Sequence, residues 1–420
     1  MIVGLPGSGL SALFYLALVL LMPVRLAWRA WRDMRVEPHH LRTVARQFFL
    51  AGAIVASFVV IGLALEQVMP SPSLAGPLAT DGERLGAAFA GGAAKIGLQL
   101  TAATLIAVLA GVQLLSMAVG RLNRPRALIT GGAGFIGGHI VRRLRERGYE
   151  VYAIDDLSTG SASNVSGAQL IELDITDAST ARVVEQIRPD VVVHAAAQTS
   201  VPASHADPAR DRAVNYDGTL NVLRGAQLAG TRRFVFLSSG GAIYGETTLA
   251  TETDEPRPVS PYGLNKLAAE HEIAASGIPY ANLRLANVYG PGQRAGLEGG
   301  VVAIFAERLH RDRRVIIYGS GEQTRDLVHV DDVVGAVVHA IDTPQSGTWN
   351  VGTGRDTSIK RLLRLMEKLT DTSAEVSFAP SRPGDVPRSS LSPARTRRSL
   401  GWSPSVPLEA GLQTVLAGRS

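Results

Sequence analysis

The pattern that most restricts how this chain can fold lies between residues 126 and 137. A short apolar run, Ala127-Leu128-Ile129-Thr130, passes into Gly131-Gly132-Ala133-Gly134-Phe135-Ile136-Gly137 and then into helical periodicity from Phe135 to Arg147. Gly132, Gly134 and Gly137 carry the spacing of a dinucleotide fingerprint, with strand before and helix after, as it requires. Glycines are needed because the backbone must turn tightly and approach a pyrophosphate at a helix N-terminus. Asp155 closes the next apolar run, Val151 to Ile154. It stands about 20 residues beyond the glycines, where a carboxylate binds the ribose hydroxyls. No Arg follows it to accept a 2′-phosphate and Asp156 would repel one, so NAD rather than NADP is the expected cofactor. Asp174 and Ile175, after the third run, are expected near the adenine.

The same rhythm continues downstream. Leu170 to Leu173, Val191 to Ala195 and Phe234 to Ser238 read as strands, and Ala178 to Ile187 and Pro208 to Leu228 as helices. Strands rich in Val, Ile and Leu without clean alternation, separated by helices, predict a parallel sheet covered on both faces. Beyond residue 288 the rhythm loosens into Gly- and Pro-rich connections. The expected class is therefore α/β: a doubly wound Rossmann domain over residues 126–288, then a smaller substrate-binding domain over 289–420 with segments returning to the first.

The first 120 residues are different in kind. Only 19% of the whole chain is charged, and the deficit is concentrated there. Three stretches, near residues 2–24, 48–69 and 96–119, approach the roughly 20 apolar residues a bilayer-spanning helix needs. The first lacks the basic start of a secretory signal peptide. Burial as helices of a soluble domain would demand another partner surface. Arg25, Arg29, Arg32, Arg35, Arg42 and Arg46 follow the first stretch, and Arg121, Arg124 and Arg126 follow the third. The excess of basic residues on those two sides predicts three spans with the C-terminal domain in the cytoplasm, at the inner membrane. The lipid bilayer is thus an expected partner. Nucleic acid is not, because the Arg clusters flank apolar runs without a reading motif. With no cysteine, thiolate sites and disulfides are excluded, and no metal is expected.

Tyr262 and Lys266 are four residues apart in a stretch, Pro261 to Ala275, that reads as helix, so they share a face. A phenol with a pKa of about 10 is a poor base, and an adjacent ammonium would favour its ionised form. The pair is a candidate general base toward a sugar hydroxyl.

From Arg126 onward the chain resembles the extended short-chain dehydrogenase/reductase family, and within it the bacterial UDP-sugar 4-epimerases. The resemblance rests on Thr130 to Gly137, His194-Ala195-Ala196-Ala197-Gln198, Asn215-Tyr216-Asp217-Gly218-Thr219 and Ser238-Ser239-Gly240-Gly241-Ala242-Ile243-Tyr244-Gly245. It continues through Tyr262-Gly263-Leu264-Asn265-Lys266, Arg284 to Pro291, Thr324-Arg325-Asp326 and Arg382-Pro383-Gly384-Asp385. It implies NAD held by Gly131, Gly134, Phe135, Ile136, Gly137, Asp155, Asp174, Ile175, Ala195, Ala196, Ala197, Tyr262 and Lys266. Tyr262 would be the base, and Lys266 would bind the nicotinamide ribose and lower the Tyr262 pKa. Asn287, Arg325 and Arg382 would hold the uracil and diphosphate. The implied reaction is oxidation at carbon 4, rotation of the 4-keto sugar, and return of hydride to its other face. Relatives also pair through two helices, here those within Pro208 to Leu228 and around Tyr262, which implies a homodimer.

Two departures bear on specificity. Members of the family commonly carry a catalytic Ser or Thr where this chain has Gly240, so Ser239, one residue earlier, is the expected donor to the sugar's 4-oxygen. Dehydratases and decarboxylases of the family place acidic groups in this loop, and Gly240-Gly241-Ala242 offers none. Where epimerases restricted to plain hexoses resemble one another in a large Tyr, this chain has Ser389, so the N-acetylhexosamine pair is expected alongside UDP-glucose and UDP-galactose. A UDP-hexuronic acid epimerase or decarboxylase would need a basic residue against carbon 6, a matter of three-dimensional placement. A non-catalytic NAD-binding membrane sensor or scaffold would be expected to lack Tyr262 or Lys266. Anchoring would place such an enzyme beside lipid-linked glycan assembly, supplying precursors.

Overall fold

The structure is a computed structural model, and it describes residues 124–296, 300–311, 314–382 and 384–417. The three expected spans lie outside the described residues, and no helix among the described residues is long and apolar enough to cross a membrane. Residues 124–420 form a unit of their own.

That unit is organised around a seven-stranded sheet. Its strands are β1 (Arg126–Thr130), β2 (Glu150–Asp155), β3 (Gln169–Glu172), β4 (Val191–His194), β5 (Arg233–Ser239), β6 (Tyr280–Leu285) and β7 (Gly347–Val351). They lie in the order β7-β6-β5-β4-β1-β2-β3, and every neighbouring pair is parallel. The chain runs outward from β1 to one edge, returns, and runs from β4 to the other. A switch point therefore lies between β1 and β4, where ligands bind in open α/β sheets.

Alternate side chains of each strand enter opposite cores, as a pleated strand dictates. Ala127, Ile129, Val191, Val193, Val235 and Leu237 pack under α1 (Phe135–Glu146). Leu128, Ile154, Val192, Phe234 and Phe236 pack on the opposite face, under α2 (Thr180–Ile187), α3 (Thr219–Ala229) and α4 (Pro261–Ala275). A fifth helix, α5 (Val330–Asp342), joins α1 on the first face through Val333, Val334, Val337 and Ala340. Both faces are thus covered, which explains the apolar strands without alternation. A separate core, including Phe305, Leu327, Leu362 and Met366, gathers the short C-terminal elements.

The helix expected over Pro208 to Leu228 is broken. Pro208–Arg212 leads into a π-helical turn, Ala213–Gly218, before α3 begins. Side-chain hydrogen bonds hold the turn: Asn215 Nδ2 donates to the Gln198 carbonyl at 3.0 Å, and Thr219 Oγ1 to the Asn215 carbonyl at 2.9 Å. π-turns of this kind concentrate at functional sites.

Candidate active site

The glycine loop lies at the switch point. Gly131 has φ +66°, and a Cβ there would stand 2.7 Å from the Ala196 nitrogen at the end of β4. At Gly137 a Cβ would stand 1.9 Å from the Gly131 carbonyl oxygen, so a side chain at either position would push helix and strand apart. No side chain caps the α1 N-terminus at Gly134, which leaves first-turn N–H groups facing outward for an anion. Phe135 is buried and Ile136 partly so beside it. Asp155 accepts from the Ala133 and Leu157 N–H groups, each at 2.9 Å. Burial pushes its carboxyl above the usual range against those bonds. The loop, the uncapped helix and the carboxylate fit a dinucleotide on these observations.

The remaining expected cofactor residues border the same edge. The Ala195 N–H donates to the Thr130 carbonyl at 3.1 Å, and the Ala196 N–H reaches Thr130 Oγ1 at 3.3 Å. Ala197 is partly exposed just beyond. Asp174 pairs with Arg210 at 3.1 Å. Ile175 is buried against Gly218, where a Cβ would meet its Cδ1 at 2.9 Å.

Tyr262 and Lys266 enter from α4, whose start is set by Ser260: its Oγ accepts from the Gly263 N–H at 3.1 Å, with Pro261 in the first turn. Both catalytic candidates are buried, Lys266 with only 2% of its surface exposed. The Lys266 Nζ lies 4.3 Å from the centroid of the Phe236 ring. The Ser239 side chain is close enough to Tyr262 to favour its ionised form. Burial pushes Tyr262 up to about 12, opposed by Ser239 and reinforced by Asp211. Burial pushes Lys266 down to about 7, opposed by Glu270 and Asp211. Desolvation, which penalises the charged form of each group, is the largest influence on both.

Beneath the pair lies a buried polar floor. Glu270 accepts from Ser238 Oγ at 2.5 Å and is clasped by Arg284 at 2.7 Å. His194 spans Thr130 and Thr219 at 2.6 and 2.9 Å, and is pushed down to about 3 by burial and by Lys266. Sequence reasoning missed Glu270, and it missed Asp211, whose carboxylate is wholly buried.

The expected substrate residues come from the short C-terminal sheets. Ser389, in the strand Ser389–Leu391, is buried and lies close to Gly241, where a Cβ would meet its Oγ at 3.0 Å. Leu391 fills the space a side chain at Gly240 would need, its Cδ1 at 2.5 Å from such a Cβ. Gly240 therefore cannot be replaced by the usual hydroxyl residue without displacing Leu391. Arg325 donates to the Val386 carbonyl at 2.8 Å and pairs with Asp385 at 3.7 Å. The Arg382 guanidinium lies 3.7 Å from the centroid of the Tyr318 ring. Asn287 is exposed at the start of the strand Asn287–Tyr289.

Residues 127–352 match the model of the NAD dependent epimerase/dehydratase family. The UDP-glucose 4-epimerase of Mycolicibacterium smegmatis is 42% identical over 301 residues, covering 68% of this chain and 96% of that protein. The structure of Thermotoga maritima UDP-glucose 4-epimerase with UDP-glucose superposes with a TM-score of 0.68 at 42% identity, over 70% of this chain and 98% of that one. The Thermus thermophilus UDP-glucose 4-epimerase complex with NAD gives 0.68 at 41% identity, over the same shares.

Proposed function

Because this chain belongs to the NAD dependent epimerase/dehydratase family, we propose that it is a UDP-sugar 4-epimerase that interconverts UDP-glucose and UDP-galactose and also accepts the N-acetylhexosamine pair. The observation that carries this reading is the buried Tyr262–Lys266 pair on one helix, with Ser239 acting on the phenol, next to a Gly240-Gly241 loop that has no acidic side chain. Epimerisation at carbon 4 needs one proton removed and returned, and this site holds one base for it. Dehydration or decarboxylation would ask for further acid–base groups.

NAD would be held by the glycine loop and Asp155 and would supply the hydride acceptor and donor. Ser239 and Tyr262 hold the sugar's 4-oxygen. Tyr262 takes the 4-hydroxyl proton and later restores it, so the enzyme ends each cycle in its starting protonation state. Lys266, when charged, stabilises the phenolate that forms. Arg325 and Arg382 suit the diphosphate by charge and fork geometry. Ser389, small and against Gly241, leaves room for an N-acetyl group.

The apolar runs near residues 2–24, 48–69 (interrupted only by Glu66) and 96–119, with arginines following the first and the third, support an inner-membrane anchor with the enzyme in the cytoplasm. Leu228 and Leu264, 57% and 55% exposed on α3 and α4, support pairing with a second copy through those helices. The test is to incubate the full-length protein separately with UDP-glucose and UDP-N-acetylglucosamine and resolve the products by nuclear magnetic resonance. The galacto epimer of each, lost in Tyr262→Phe, is expected. No turnover of either by NAD-loaded protein would overturn the reading.

A further inference from the structure

Asp211 belongs to no expected site, yet it lies at the centre of this one. It is wholly buried on the short helix Pro208–Arg212. Its Oδ1 accepts from Gln198 Nε2 at 2.8 Å and Asn215 Nδ2 at 2.9 Å, and its Oδ2 accepts from Asn265 Nδ2 at 2.8 Å. Each donor comes from a different segment: the loop after β4, the π-turn, and α4 between Tyr262 and Lys266. Three neutral amides satisfy the carboxylate's lone pairs but not its charge. A buried anion in that position acts on whatever ionises nearby.

We propose that Asp211 is a positioning residue that sets the charge state of the catalytic pair, its carboxylate holding the proton on Lys266 and on Tyr262 through the interior. The inference rests on the reading of Tyr262 as base. Direction follows from sign: an anion raises the proton affinity of both neighbours, and both feel Asp211. Other groups facing the pair are accounted for. Glu270, paired with Arg284, acts on Lys266 in the same direction and more strongly but not on Tyr262, and His194 beneath stays uncharged. Arg210 and Arg212 turn to Asp174 and Asp217, while His205 on the preceding helix abuts Gly384.

Asp211→Asn removes the charge and keeps the shape, because Asn265 can turn its amide and present oxygen instead of nitrogen. In the full-length NAD-loaded enzyme, both limbs of the kcat/KM profile against pH should then move to lower pH, by about one unit. The double variant Asp211→Asn/Asn265→Asp returns one carboxylate to the same hydrogen bond and should move both limbs back. Limbs that stay in place while the rate falls would reduce Asp211 to scaffolding and overturn the proposal. Limbs that the double variant leaves displaced would overturn it too. Should Asp211→Asn not fold, Asp211→Ser, which also removes the charge, carries the test: limbs moved to lower pH support the proposal and limbs left in place refute it. Wild-type turnover with an inactive Tyr262→Phe control keeps a failure of the base assignment separate from a failure of this one.

Discussion

Lys266 has almost no contact with water, and Tyr262 on the same helix is buried with it. The spacing of the two residues was readable from the sequence, but the depth of their burial was not. Burial is a property of every segment packed around them, several from more than 30 positions away. Ser239 follows the same lesson. Its neighbours Gly240 and Gly241 are explained only by Leu391 and Ser389, which arrive about 150 residues later. Removing the hydroxyl in Ser239→Ala should lower kcat about 100-fold or more, with KM little changed, as for loss of one donor aimed at a developing oxyanion. Steady-state kinetics decides it. Ser389→Tyr should abolish turnover of UDP-N-acetylglucosamine while sparing UDP-glucose, checked by the same product analysis. His194 carries a prediction for stability. Burial, with Lys266, pushes it down to about 3 from the ordinary 6.5, so below pH 6.5 the unfolded chain binds a proton that the folded chain refuses. Stability is retained above that pH and lost as pH falls toward 3, by up to about 1.4 kcal/mol per unit. Urea midpoints at pH 7 and pH 5 should differ accordingly.

Among the elements, β1 to β5 and α4 were legible because their apolar runs and caps are local signals. The strands β6 and β7 were not read. Tyr280–Leu285 contains Asn282 and Arg284, both buried, and only the tertiary partner Glu270 makes that polarity tolerable. The break between Pro208 and α3 was also invisible, because the apolar periodicity runs through it while side-chain hydrogen bonds from Asn215 and Thr219 redirect the backbone. Two variants test what elements contribute. Gly137→Ala places a methyl 1.9 Å from a backbone oxygen, so the loop must deform. NAD content after purification should fall to a small fraction of wild type while the circular dichroism of the helices persists. Arg284→Met strands the Glu270 charge in the interior and should cost about 3–5 kcal/mol in denaturant unfolding.

For the whole molecule, the N-terminal 123 residues and the remainder are separate units, and the motifs that fixed fold and site all fall in the second. A chain beginning at Arg124 should fold and turn over substrate at nearly the full-length rate, but should stay in the supernatant when the full-length protein sediments with membranes. Rate loss in the well-folded fragment would show that the first unit shapes the site. Within the second unit, β7 pairs with β6 from Ala281 to Leu285 but is encoded more than 60 positions after it. A ribosome has therefore made every motif of the cofactor site before it makes the strand that closes the sheet. In that interval β6 presents an unprotected, largely apolar edge. Nascent chains halted by a premature stop codon before Gly347 would carry it permanently, which makes them clients for chaperones and proteases rather than half-active enzymes.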